Sequence, residues 1–190
     1  MFSNKKRYYF IIESIKDIDL KKIKKRNKFS IVYRNHSNTE LITNLIKFRK
    51  ECKLRSIDFY VANNYDLAVY LSADGIYLSA FNKTFRGLSL KNKKFNIIGS
   101  AHTQREIYTK VQQGCSAIFF SKLFLVSYDK ESPFLGVIKF NNFLKISKLL
   151  IPLGGINLYN LNSLKMVKSY GFALMSEIKK KPAKILSRLF

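Results

Sequence analysis

The chain has 190 residues, 47% hydrophobic and 25% charged, an ordinary globular balance with enough length to bury a substantial core. No apolar run approaches the ~20 residues of a transmembrane helix, so no membrane-spanning helix is expected. A formal charge of +23, from 35 Lys and Arg against 12 Asp and Glu, raises a polyanion partner.

The charge is dispersed rather than focused. Lysines gather at 21, 22, 24 and 25, at 91, 93 and 94, and at 179–181, with no RNA- or DNA-binding motif beside them. Lys, Asn, Ile, Phe and Tyr are all abundant, the combination a low-GC coding bias produces. A basic nucleic-acid-associated protein is therefore the remote alternative. Basic residues precede a short apolar stretch at the N-terminus, but that stretch meets Glu13 without a small-residue cleavage site, and no signal peptide is expected. Cys52 and Cys115 stand far apart in no metal spacing and read as buried thiols, which points to a cytoplasmic protein.

In chain order, Tyr8–Ile12 reads as a first strand, and residues 15–28 as a lysine-rich, weakly amphipathic outer helix. Phe29–Arg34 is a second strand. Ser37 and Glu40 have capping-box spacing before Leu41, Leu45 and Phe48 at helical intervals. A third strand, Ile57–Ala62, ends on Asn63 and Asn64, and a short helix from Tyr65 to Ser72 leads to a fourth strand, Ile76–Leu78. Residues 79–94 are polar with no clear helix. Phe95–Gly99 is a fifth strand, and Thr103 with Glu106 forms a second capping box opening a helix that Gly114 stops. Ser116–Phe120 is a sixth strand, followed by a loop of about ten residues and a helix from Phe134 to Ile146. The apolar run before Gly154 and Gly155 is a seventh strand, with a helix from about Tyr159 to Ser169. Gly171–Met175 is an eighth strand, and Pro182–Phe190 a last short helix.

Eight strands alternating with helices, with no break in composition, predict one domain over residues 1–190. The predicted fold is a compact (β/α)8 TIM barrel with some helices shortened; a doubly wound open sheet is the runner-up. In such a barrel the chemistry lies at the strand C-termini, which makes Arg34, Asn63, Ser79 to Asn82, Ser100 with His102, the loop after strand six, Gly154 and Gly155, and Ser176 the candidates. The two glycines leave their backbone amides open to an anion, and the ends of strands seven and eight are where barrel enzymes commonly hold phosphate. Arg34 offers a guanidinium fork for a second anionic group. No paired carboxylates, metal-ligand cluster or nucleophile–base pair is evident at the strand ends.

At this point the sequence resembles the thiamine phosphate synthase and TenI family along nearly its whole length. Tyr33-Arg34 is similar to the family's Gln-Leu-Arg-Glu-Lys motif. Asp66-Leu-Ala68 with Ala73-Asp-Gly-Ile-Tyr-Leu78 resembles its Asp-Leu-Ala…Ala-Asp-Gly-Val-His-Leu segment. Ser100-Ala-His-Thr103 is similar to its Ser-x-His-Thr helix entry, and Leu153-Gly-Gly-Ile156 with Asn160 to its phosphate turn. Gly171–Ser176 matches its last strand.

The resemblance implies the barrel, and a reaction joining hydroxymethylpyrimidine diphosphate to thiazole phosphate with release of diphosphate, in the presence of Mg²⁺. It implies thiazole phosphate at Gly154, Gly155, Met175 and Ser176, and pyrimidine diphosphate at Arg34, Ser100, Asn63 and Lys130. Asn63 and Asn82 stand where the family carries its two magnesium carboxylates. Should the alignment slip by one residue, the first position is Asn64. The family's Thr-x-Thr-Lys loop is replaced by Val126-Ser-Tyr-Asp-Lys130. The expected partners are the two small phosphorylated substrates, with no membrane. The alternative within the resemblance is a non-synthase relative, either a thiazole phosphate tautomerase or a thiamine-precursor binding protein.

Overall fold

A computed structural model describes residues 7–23, 28–35, 40–93, 95–126, 131 and 133–175. Eight strands form one parallel sheet: β1 Arg7–Ile12, β2 Phe29–Tyr33, β3 Asp58–Ala62, β4 Gly75–Leu78, β5 Asn96–Ala101, β6 Ala117–Ser121, β7 Leu150–Leu153 and β8 Gly171–Leu174. The spatial order β7-β6-β5-β4-β3-β2-β1-β8 is that of a barrel, and β7 and β8 lie beside each other to bring it to near closure. Near the start of that last seam, the Ser169 hydroxyl donates to the Leu150 carbonyl at 2.8 Å. This is the expected (β/α)8 architecture.

Strand alternation builds two apolar layers. One parity fills the barrel interior, where the Phe119 ring packs 4.9 Å from Tyr9 and 5.5 Å from Tyr77 between centroids. The other parity, with Phe10, Ile31, Phe59, Ile76 and Phe120, faces the helices outside. These helices are α1 Ile42–Leu54, α2 Tyr65–Tyr70, α3 Gln104–Gln112, α4 Gly136–Ile146 and α5 Leu161–Lys165, two of them only five or six residues long. The Asp74 carboxylate ties these layers together, accepting from the Phe59 amide at 2.7 Å and from Arg49 at 3.0 Å. Gly75 follows because a Cβ there would lie 1.9 Å from the Asn96 carbonyl oxygen.

Four local expectations are corrected. No α-helix occupies residues 15–23: two 3-10 turns, Ile15–Asp17 and Leu20–Lys22, are separated by extended backbone. Ser14 with Asp17 and then Asp19 cap those turns, which lets Ile18, Leu20 and Ile23 all reach the core at spacings a helix would not allow. The N-cap of α1 is Leu41 without a side-chain bond, and Ser37 of the expected capping box lies outside the described residues. Glu40 instead accepts from Ser14 Oγ at 2.6 Å and the Ile15 amide at 2.8 Å. The polar stretch after β4 contains a 3-10 helix, Arg86–Lys93. The helix after β7 is reduced to Leu161–Lys165. The second capping box is as expected, with Thr103 and Glu106 bonding reciprocally. The last helix, Pro182–Phe190, lies outside the described residues.

Candidate functional site at the strand C-termini

Strand register places Arg34, Ser79, Ser100, Ser121 and Met175 on the interior parity at the C-terminal rim, above the Tyr77–Phe119 layer. Arg34 follows β2, where its amide donates to the Ile12 carbonyl at 2.8 Å. Its side chain is half-buried, and the buried Nε has no hydrogen-bond partner among the described residues. An unmet guanidinium donor costs about 1–3 kcal/mol, so it is a group arranged for an acceptor. Ser100 is buried on β5. Burial raises the Tyr77 hydroxyl above its ordinary range, opposed by a hydrogen bond with Ser100 and by the Arg34 charge.

Asn63 ends β3 in the left-handed region at φ 56°, a conformation asparagine tolerates better than most residues. Its Oδ1 accepts from the Ser79 amide at 3.0 Å and from Asn82 Nδ2 at 3.0 Å. Asn82 Oδ1 in turn accepts from the Thr84 amide at 3.0 Å. Asn64 faces elsewhere, capping α2 by accepting from the Leu67 amide at 2.9 Å. Asn63, rather than Asn64, is thus the partner of Asn82.

This donor set does not fit Mg²⁺. The ion selects hard anionic oxygens, and here two neutral amides turn their oxygens to backbone N–H groups and one NH₂ group toward the other side chain. Among the described residues no three His, Cys, Asp or Glu gather into a metal-ligand cluster.

Gly154 and Gly155 form the turn after β7 with φ of 93° and 68°. Among the described residues the amides of Gly154, Gly155 and Ile156 reach no acceptor, while the Gly155 carbonyl accepts from Asn157 Nδ2 at 3.2 Å and Asn160 Nδ2 at 2.7 Å. A Cβ on Gly155 would lie 2.4 Å from the Phe124 and Leu125 carbonyl oxygens, so glycine here also admits the neighbouring loop. Met175 follows β8 and packs on the interior cluster. Ser176, Lys130 and most of the Val126–Lys130 loop lie outside the described residues.

The structure reveals a pairing that sequence reading missed. His102 Nδ1 lies 3.0 Å from Ser121 Oγ, joining the ends of β5 and β6. The expectation of no nucleophile–base pair at the strand ends is corrected by this contact, which 19 residues of sequence separation concealed. Lys110 is a second surprise. It is wholly buried on α3, its amine donating to the Asn82 carbonyl at 2.7 Å and to Gln113 Oε1 at 2.9 Å. Desolvation lowers its pKa.

A model of the thiamine monophosphate synthase (TMP-TENI) family matches residues 6–178. The chain belongs to that family. It is 27% identical over 150 residues to the thiamine-phosphate synthase of Clostridioides difficile, covering 77% of this chain and 71% of that protein. It is 32% identical over 140 residues to the thiamine-phosphate synthase of Prochlorococcus marinus, covering 70% of this chain but spanning only 38% of that longer protein. Thiamine phosphate pyrophosphorylase from Pyrococcus furiosus superposes with a TM-score of 0.70 at 15% identity, covering 98% of both chains, which shows the shared fold. No helix among the described residues is long and apolar enough to cross a membrane.

Proposed function

We propose that this family member is a thiamine-phosphate synthase that joins hydroxymethylpyrimidine diphosphate to thiazole phosphate at the C-terminal rim of its barrel. The observation that carries this reading is the family match over residues 6–178, on a barrel whose rim holds a guanidinium whose buried Nε has no partner among the described residues.

In that reaction the pyrimidine C–O bond breaks, and diphosphate leaves with the electron pair. The resulting cation is stabilised by the ring's amino group, and the thiazole nitrogen then forms the new C–N bond. Such chemistry asks the protein to hold charge and exclude water rather than to move protons. Arg34 and Ser100, with Asn63, face the diphosphate in this reading; a fork of N–H donors suits its oxygens. Gly154, Gly155 and Met175 take the thiazole phosphate on the opposite side of the rim. Ser176 and Lys130 complete the two subsites that the family pattern assigns. The whole of residues 1–190 serves as one barrel unit.

A second reading is favoured by the Asn63–Asn82 contact at 3.0 Å, which stands where the family places magnesium carboxylates. On that reading the protein binds phosphorylated thiamine precursors without joining them. One incubation separates the two. Purified protein is given both substrates, with and without Mg²⁺, and thiamine phosphate and diphosphate are followed. Product in either condition is expected. Calorimetric binding of thiazole phosphate without product would transfer the assignment to the second reading, and neither product nor binding would overturn both.

A further inference from the structure

We propose that the rim of this barrel binds the diphosphate group of its substrate without a divalent cation, using protein N–H donors where a carboxylate pair would need a metal. The inference rests on the reading that the ligand carries a diphosphate, and it concerns how that group is held.

Backbone geometry dictates the orientation of both amides. The Ser79 and Thr84 N–H groups are donors, so the oxygens of Asn63 and Asn82 must face them. Turning either amide over would set an NH₂ group against a backbone N–H, losing a bond and adding a repulsion. What remains for the rim is N–H character, not oxygen. Two aspartates in these positions would hold their charges about 3 Å apart, a repulsion that a bound dication relieves. The amides make a direct 3.0 Å hydrogen bond and carry no charge to neutralise.

The loop bearing Asn82 is secured from inside the protein. Lys110 Nζ and Gln113 Nε2 both donate to the Asn82 carbonyl, at 2.7 and 3.0 Å, and Gln113 Nε2 also donates to the Thr84 carbonyl at 2.7 Å. The segment that a metal would otherwise pin is therefore in place before any ligand arrives, so binding need not order it. The positive charge facing the ligand comes from Arg34, whose strand neighbours β3 and which lies one register step beyond the Tyr33–Val61 pair. Arg34 Nε is a buried donor that finds no acceptor among the described residues. A site built this way should respond to ionic strength, since exposed charge is screened, and should ignore chelation.

The test uses the full chain and inorganic diphosphate. Calorimetric titrations are run with excess EDTA and with MnCl₂, and the Mn²⁺ spin-resonance signal is recorded with protein, with diphosphate and with both. The expected result is diphosphate binding in EDTA with a dissociation constant within about threefold of that in Mn²⁺, corrected for Mn²⁺–diphosphate complexes. Protein should remove no more of the free Mn²⁺ signal than diphosphate alone does. The paired change Asn63→Asp with Asn82→Asp should weaken diphosphate in EDTA by about tenfold or more and recover on adding Mn²⁺. Should that double variant fail to fold, the single Asn82→Asp change and the wild-type Mn²⁺ titration carry the decision. Wild-type diphosphate binding that requires Mn²⁺, no binding in either buffer, or a variant indifferent to the metal would each overturn the inference. None of these readouts uses turnover, so they are separable from failure of the synthase assay.

Discussion

Lys110 Nζ donates to Gln113 Oε1 at 2.9 Å in a fully buried position beneath the loop that follows β4. The last turn of α3 and its C-cap residue thereby supply a cation and an amide that together bind two carbonyls of that loop, Asn82 and Thr84. An ammonium is costly to bury unless its protons are used, and here at least two are. The energy goes into shaping the rim.

Replacing Lys110 with methionine should therefore cost about 2–4 kcal/mol, since Gln113 Oε1 loses its donor while the stem volume is kept. Urea unfolding measures the loss. Gln113→Leu should cost about as much, and the double variant less than the sum, because the two side chains share one network. Additive losses would show that the two residues act separately.

At Gly155 the left-handed φ of 68° and the 2.4 Å approach of two carbonyl oxygens both oppose a side chain. Gly155→Ala should destabilise by about 1–3 kcal/mol, read as a lower melting temperature without any ligand present. Tyr159→Ala in the same loop, at a 92% exposed residue, should change stability by no more than about 0.5 kcal/mol. Loss of ligand affinity in a Gly155 variant consequently reports packing as well as contact.

Arg34 offers the cleaner binding test. Its Nε makes no hydrogen bond among the described residues, so Arg34→Ala strands no Nε acceptor there. Stability should change by about 1 kcal/mol or less, while affinity for inorganic diphosphate should fall at least tenfold, ~1.4 kcal/mol. Arg34→Lys should recover only part, because a single ammonium cannot reproduce a planar fork.

Alkaline pH should unfold the protein through groups buried neutral. Burial pushes the Cys52 thiol from 9.0 up to about 12, and burial together with the Glu40 charge pushes Tyr33 from 10.0 up to about 12. Tyr60 is raised by burial as well. Folding holds these protons more tightly than the unfolded chain does, so the contribution is whole below about pH 9 and is lost as pH rises toward 12. Melting temperatures across that interval should fall steadily, and Cys52→Ala should flatten the early part of the decline. A flat profile to pH 12 would contradict the burial of these groups.

The strand count, the parallel order and most element bounds were legible from local signals. Apolar runs of strand length, the Thr103–Glu106 box and the stop at Gly114 act within a few residues, and the chain obeys them. Strand ends likewise named Arg34 and Ser100 as rim candidates, while the register of the closed sheet set them on its interior parity. Residues 15–23 defeated local reading because their burial is bought by caps and extended joints that need a neighbouring sheet. Glu40 has capping spacing and yet bonds Ser14, 26 residues away. Asn63 with Asn82, His102 with Ser121, and Lys110 with the Asn82 carbonyl are separated by 19, 19 and 28 residues. Sequence by itself determined a barrel with a double-glycine turn after its seventh strand and an arginine after its second. Only the tertiary structure decided which side chains meet there, because closing the sheet brings strand ends together irrespective of their distance along the chain, and the donors and acceptors left over must pair with whatever arrives beside them.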